Sequence, residues 1–499
     1  MANIVDSRGH FWWSDQSPDQ STGLPPLTVA GRLTIEENGR IFLALDGLLS
    51  EGLDSMIRQS NSRQMISDKA IVGLLYEDSS SVYLTCLRIT RSQFGSSTVC
   101  REEYQALYCL CGDCPSLSIE HLSMVRGFQL DLANIKEWIR MPSIKALDEV
   151  IVGNLVSQAF EYCQDKAQYS TADGTMSIDF DIDGDFSLCK MSGVEKVSFA
   201  SVAKFSYQLN TLIRIDQLPE LIFRIQECLA LLVGAYVDLG WPRIFINAAD
   251  TDSSARLYFR RNRPIEEKPS ISDLWTFFPG VRDSVGLFFD SFMSLRGQFG
   301  PGVYLYLACL RTESMFPENR FTTLITGLES LYRRDLSLPQ ESSKERDRIE
   351  RILLCVQQES DKKWLRRKLD TRAELSLEDR LNRLFEPLTR FVDVGRLKVF
   401  AGKCAELRND VTHFGGLRGQ ATYPQLLERL GALTPALASL YHALLLYRMG
   451  VPTEVIGNAF NSGPVSSKIK RNLVQAGLRE EEKASAPPFP PMPQLQDKG

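Results

Sequence analysis

In the stretch AELRNDVTHFGG, Ala405 to Gly416, an arginine and a histidine stand five residues apart. They are Arg408 and His413, with Asn409 directly after the arginine and a Phe-Gly-Gly stop behind. His413 is one of only four histidines in 499 residues, the others being His10, His121 and His442. An imidazole can take or give a proton near neutral pH. A guanidinium can hold two oxygens of an anion and gains as negative charge builds there. A side-chain amide beside them can orient either partner. The set suits proton transfer on an anionic substrate.

The element that must carry these residues reads as a helix. Turned 100° per residue from Leu397, the side chains of Leu397, Phe400, Ala401, Cys404, Leu407 and Val411 form one apolar stripe. Glu406, Asn409 and His413 fall on the far side, within about 60° of one another. That weakens the reading of His413 as a satisfied core histidine and leaves a plain surface histidine open. Arg408 lies at the edge of the stripe, beside Cys404 and Val411. It needs a carboxylate partner or must snorkel into a cleft, because burying an isolated charge is costly. On a straight helix it points about 140° away from His413. Two copies of the helix meeting across a two-fold axis would bring such groups into one shared cleft.

The bulk numbers set the frame. A chain of 499 residues is too long for one core, so two or three domains are expected. Hydrophobic content of 43% and charged content of 24% are those of a soluble globular protein. The net charge of -5 and a pI near 5.7 argue against an overall basic field that gathers nucleic acid, so such a role needs a local basic patch. The start, MANIVDSRGHFWW, lacks the basic-then-apolar pattern of a signal peptide. The longest apolar run, LIFRIQECLALLVGAYVDLGW, contains Arg224 and Glu227 and reads as a buried helix rather than a membrane span. Eleven scattered cysteines, mostly within apolar segments, suit reduced core thiols, so a cytoplasmic location is expected.

Along the chain, residues 1–210 read as mainly strand. Two runs flank the turn signal Asn38-Gly39, and a second pair flanks Asp78-Ser79-Ser80. Residues 211–269 read as a helix-containing connecting segment. From 270 to 462 apolar residues recur every three or four positions, as in FTTLITGLESLYRRD and LEDRLNRLFEPLTRFV, which predicts a bundle. The Pro-rich end, 463–499, is expected to be disordered. The fold class is therefore α+β, a β-rich N-terminal domain followed by an all-α helical bundle.

Four other stretches could be taken for sites. DFDIDGDFSLCK begins like a calcium loop, with Asp179, Asp181, Asp183 and Gly184, but its twelfth position is Lys190. The alternating flanks favour a hairpin that turns at Asp183-Gly184. CLCGDC gathers Cys109, Cys111 and Cys114 near Cys100 and His121, yet the spacing fits no common zinc pattern, and ordinary thiols are expected. KKWLRRK, Lys362 to Lys368, is basic around Trp364, and RLYFRRNR, Arg256 to Arg263, is basic as well. Each reads first as a solvated face and second as a phosphate-contacting patch.

A late bundle helix with Arg-Asn-x-x-x-His resembles the HEPN superfamily of ribonucleases, the match here being RNDVTH. The opening GHFWWSDQS, then LPPLTVAGRLTIEENGRIFLALDGLLS, resembles the first domain of ApeA-type bacterial anti-phage proteins, and HLSMVRGFQLDLANIKEWI is similar to its closing segment. FTTLITGLESLYRRD resembles the helix that opens the HEPN part, with Glu329 and Arg333 at its polar positions. The likeness spans about 9 to 450. It implies an HEPN-like bundle that cleaves RNA without metal or cofactor, through attack of the ribose hydroxyl on the neighbouring phosphate. In that reading His413 is the acid or base, Arg408 stabilises charge and Asn409 orients. Glu406, Lys362, Lys363, Arg366 and Arg367 are further substrate-binding candidates. The products would be a cyclic phosphate and a free hydroxyl, and DNA would be spared. The likeness also implies that the N-terminal part restrains the nuclease until a phage-encoded trigger, expected to be a protein, is sensed. The chain would assemble as a homodimer or larger, act on a structured RNA such as a transfer RNA, and need no membrane. The alternative is a non-catalytic interaction or nucleotide-binding module of a defence complex, with Arg408 in a structural salt bridge.

Overall fold

The structure is a computed structural model that describes residues 3–17, 19, 24–49, 65–66, 69–77, 79–93, 101–112, 124–141, 144–152, 155–162, 165–185, 198–246, 254–261, 268–312, 314–339, 343–369, 374–414 and 422–481. Contacts divide the chain into two compact units, Met1–Ser294 with Met449–Pro452, and Leu295–Arg448 with Thr453–Gly499. The boundary falls inside a helix, Val285–Phe299, and not at 270.

The first unit is built on strands β1 (Asn3–Trp13), β2 (Val29–Glu36), β3 (Ile41–Leu45), β4 (Ile71–Leu75), β5 (Ser81–Gln93), β6 (Arg101–Gly112), β7 (Met124–Asp131), β8 (Ile144–Val152), β9 (Leu155–Tyr162), β10 (Lys166–Thr171), β11 (Gly174–Asp185), β12 (Ser198–Arg214), β13 (Arg243–Ile246) and β14 (Ser254–Phe259). Strands β6-β3-β2-β1-β4-β5 close on themselves, because β5 pairs back to β6, with Val82 opposite Cys111 and Leu87 opposite Ala106. The result is a small antiparallel barrel with alternating inward residues, as the period of two requires. Phe11, Leu33, Ile35, Ile41, Leu84 and Leu87 fill it and are fully buried. Beyond β6 the same sheet continues through β14, β13, β7, β12, β11 and β10, while β8 and β9 form a separate pair. The β2–β3 hairpin turns at Asn38-Gly39, as its residues predict. Gly39 has φ +75, and a Cβ there would strike the carbonyl oxygen of Phe259. The β4–β5 hairpin forms as well.

Two expectations fail here. Asp183 and Gly184 do not turn. They continue β11 opposite Ala200 and Phe199 of β12, because the strand has a full-length partner that extends past them. Residues 211–269 are not a connector. They hold the end of β12, a helix α1 (Leu218–Val233) with its apolar residues buried, and strands β13 and β14 that sit between β7 and β6. β13 escapes a local reading because it is only four residues long and, besides its neighbour β14, pairs with β7, which is distant in sequence.

The second unit is helical. Its helices, together with the boundary helix α2 (Val285–Phe299), are α3 (Pro301–Arg311), α4 (Pro317–Arg334), α5 (Ser343–Leu354), α6 (Glu359–Leu369), α7 (Leu377–Leu384), α8 (Val394–Phe414), α9 (Tyr423–Arg448), α10 (Thr453–Asn461) and α11 (Ser466–Gln475). Helix α4 is central and packs against α3, α7, α8 and α9. Its buried residues, Phe321, Leu324, Ile325, Leu328, Leu331 and Tyr332, recur at three- and four-residue steps. Gly327 lets α9 approach, since a Cβ there would lie 2.7 Å from the Tyr441 hydroxyl. Helix α9 is long and apolar enough to cross a membrane, but 72% of its most apolar window is buried inside the protein. The expected disorder from 463 onward is corrected in part. Val465, Ile469, Leu473, Ala476 and Leu478 are buried, so α11 is held by an apolar stripe that the nearby prolines obscured. Residues 482–499 lie outside the described residues.

Candidate active site

Helix α8 forms as its periodicity predicts. Leu397, Phe400, Ala401, Cys404 and Leu407 are buried, and burial pushes the Cys404 thiol well up, which keeps it protonated and inert. Val411 is only half-buried. Asp410, three residues after Leu407, is 2% exposed and faces Arg429 of α9 at 3.7 Å. Glu406 is exposed and reaches the same Arg429 at 3.4 Å. One α9 arginine thus holds two of the acidic residues of α8.

Arg408 has the carboxylate that its position demanded. Its Nη2 lies 3.6 Å from Oε2 of Glu329 on α4, and its Nη1 donates to Oδ1 of Asn409 at 3.2 Å. The side chain is 31% exposed, so the guanidinium is neither sealed in nor free. Glu329 is shared: its Oε1 lies 3.4 Å from Nη1 of Arg380 on α7. Arg380 is only 8% exposed and donates from Nη2 to Oε2 of Glu374 at 2.7 Å. Arg333, one turn after Glu329 on α4, donates to the same carboxylate oxygen at 2.8 Å. The hydrogen bond from Arg333 does most to hold the Glu374 carboxyl below the usual range; burial opposes it, and Arg380 reinforces it. Three guanidiniums therefore share two carboxylates, which leaves one positive charge in the cluster. A phosphate group would neutralise that surplus.

His413 lies in the last turn of α8, five residues and about 7.5 Å along the axis from Arg408. Its side chain lies outside the described residues, as do residues 415–421. The histidine with a core role is His442. It is fully buried on α9, with Nδ1 2.6 Å from the Tyr306 hydroxyl.

The remaining candidates separate. Lys363, Arg366 and Arg367 are exposed on α6 and Lys362 is half-buried there; Arg366 pairs with Glu350 of α5 at 3.1 Å. In the other basic run, Arg261 lies 3.7 Å over the Trp241 ring and 3.0 Å from Asp238, and burial lowers its pKa, so it is a packing residue. Asp179 accepts hydrogen bonds from Ser177 and Ser206 and faces Lys166, and Asp181 faces Lys204, so these carboxylates tie neighbouring strands together. Cys109 is buried on β6 and Cys111 half-buried; Cys100, Cys114 and His121 lie outside the described residues. Among the described residues no three His, Cys, Asp or Glu side chains stand close enough to share a metal ion.

Arg380, Glu374 and Asp410 were missed by reading the sequence. The signal that exposed Arg408 was present for two of them. Arg380 falls beside Leu381 and Leu384, on the apolar stripe of α7, and Asp410 borders that of α8.

Comparison with known families gives two matches. Residues 7–286, more than half of the chain, match the family described as ApeA N-terminal domain 1. Residues 322–455, which span α4 to α9, match the family described as Apea-like HEPN. No curated protein and no solved structure gives a significant match.

Proposed function

Because the chain belongs to the ApeA family of anti-phage defence proteins, with a HEPN nuclease domain at residues 322–455, we propose that it is an endoribonuclease whose site is centred on Arg408 and His413. The supporting observation is the setting of Arg408. It is half-buried, held by Glu329, and backed by a charge cluster with one cation in excess. A guanidinium placed in this way gains when an anionic oxygen builds up charge beside it. His413 removes the proton of the ribose hydroxyl or protonates the leaving oxygen, and Asn409, already bonded to Arg408, orients the pair. The attacking hydroxyl belongs to the substrate, so no metal is needed in this scheme and DNA survives. Two copies of α8 supply one cleft, and the strand-rich unit restrains the site until a phage component is bound.

The test is expression of the full chain in phage-challenged cells, with sequencing of RNA ends. The native protein should arrest growth and leave new ends bearing cyclic phosphate. His413→Ala should remain folded and do neither. Equal protection by His413→Ala would end the catalytic reading. Mixed dimers of Arg408→Ala and His413→Ala subunits should regain part of the activity if the cleft is shared.

One observation favours a second reading, a non-catalytic bundle that binds a partner. The Arg408–Glu329 pair is the structural salt bridge which that reading requires. In that case Arg408→Ala should lower stability and leave RNA intact in both proteins.

A further inference from the structure

The hairpin of α5 and α6, residues 343–369, carries nine basic and five acidic residues, a net of +4 in a chain whose total is -5. It is the kind of local basic patch that contact with nucleic acid requires. The hairpin has its own small core, Ile349 and Leu353 of α5 against Leu365 and Leu369 of α6. Burying those residues fixes what α6 presents to solvent. Lys362, Lys363, Arg366 and Arg367 fall within an arc of about 140°, and Trp364 stands about 60° further round from Arg367. Among the described residues, Arg366 is ion-paired, to Glu350, whereas Lys362, Lys363, Arg367 and Lys368 are in no ion pair. Trp364 is 59% exposed. An exposed indole beside solvated cations offers a stacking face next to charges that can meet phosphates.

From this geometry we propose that α6 is a docking surface for single-stranded RNA, with Lys363 and Arg367 on phosphates and Trp364 stacked on a base. The inference rests on the ribonuclease reading for its choice of RNA, and it adds a contact surface outside the catalytic helices. Phosphate contacts alone would suit duplex and single strand alike. A flat aromatic face suits only a base that is free of its own stack. An acidic protein segment would satisfy the cations and leave the indole without a matching partner.

The experiment uses the full-length His413→Ala chain, which cannot consume its ligand, and a labelled oligouridylate of about 12 nucleotides, a length within known single-strand site sizes. Binding is read by anisotropy across a salt series. Trp364→Ala should weaken binding by about 5- to 150-fold, the range for loss of one stacked base. The double variant Lys363→Ala/Arg367→Ala should lower the slope of log affinity against log salt by about 1.4, the loss of two phosphate contacts. Both sites are exposed, and an unchanged helical circular dichroism signal shows that the fold is kept. Binding that ignores both changes overturns the proposal. So does a blunt RNA duplex that binds as tightly as the single strand, or polyglutamate of equal charge that competes as well as RNA. RNA cleavage by the native chain is scored separately. Binding that depends on Trp364 without cleavage would remove the nuclease reading and leave this one. Cleavage with binding that ignores Trp364 would do the reverse.

Discussion

The barrel and the helical unit treat buried charge differently, although the first unit also buries Glu227 and the Arg261–Asp238 pair outside its barrel. Among the described residues, the barrel interior holds one charged side chain, Glu102, which accepts from the Tyr104 hydroxyl at 3.0 Å and from the Leu49 amide at 3.2 Å. Its arginines pair on the surface, as Arg8 does with Asp46 and Arg32 with Asp6, with side chains half exposed. In the helical unit, by contrast, charges from α4, α7 and α8 meet in a part-buried cluster in which Arg380 is almost sealed. Apart from Glu102, the barrel core is apolar and explained by shape. The residues around Glu329 are not, because an apolar set of equal volume would pack as well or better. Charge retained at that cost is where chemistry is expected.

Substitutions can break this contrast. The largest effect expected is on cleavage. Arg408→Ala should reduce the rate of RNA cleavage about 10²- to 10³-fold, the loss typical of one charge-stabilising donor. Stability should fall by no more than about 1 kcal/mol, since the pair is part-exposed. In the barrel, Phe11→Ala should cost about 3–5 kcal/mol, read as a lower denaturant midpoint for the strand signal. Arg380→Ala leaves Glu329 and Glu374 without a shared cation and should cost about 2–3 kcal/mol, discounted from fully buried pairs because Glu374 is 42% exposed. A loss as small as that of a surface pair would erase the contrast.

A pH series should sharpen it further. Asp335 is buried, which alone would raise its pKa, but hydrogen bonds from Ser337 and Arg448 outweigh burial and lower it below 3.8. A depressed carboxylate stabilises the folded state above its unfolded value, and that contribution is lost as pH falls through the folded value. The helical signal should therefore weaken below about pH 3.8, and Asp335→Asn should flatten the dependence. The smallest change is expected at Arg366→Ala, about 0.2–1 kcal/mol, because its pair with Glu350 is exposed on both sides.

What could be read from the sequence follows the same division. Hairpins with strong turn residues and helices with an apolar stripe carry their signals within a dozen residues, so β2–β3, β4–β5 and α8 were legible. Pairing between distant segments was not. β13 lies between β7 and β14, and nothing within its four residues says so. Asp183-Gly184 is a strong turn signal locally, but tertiary pairing with β12 overrides it. At the site, Arg408 stood out because a guanidinium on an apolar stripe demands a partner. Which carboxylate answers, and that Arg380 answers it too, depends on how α4, α7 and α8 pack.

Strand β6 completes the barrel by accepting β3 on one side and β5 on the other. On the ribosome, β1 to β5 emerge first and cannot close until residues 101–112 follow. At about 5–20 residues per second, the wait between the first strand and the last is on the order of 5–20 s. For most of that interval β3 presents an unsatisfied edge, joined near its end by β5, which makes the nascent barrel a substrate for chaperones and the moment at which a crowded polysome is most prone to aggregate.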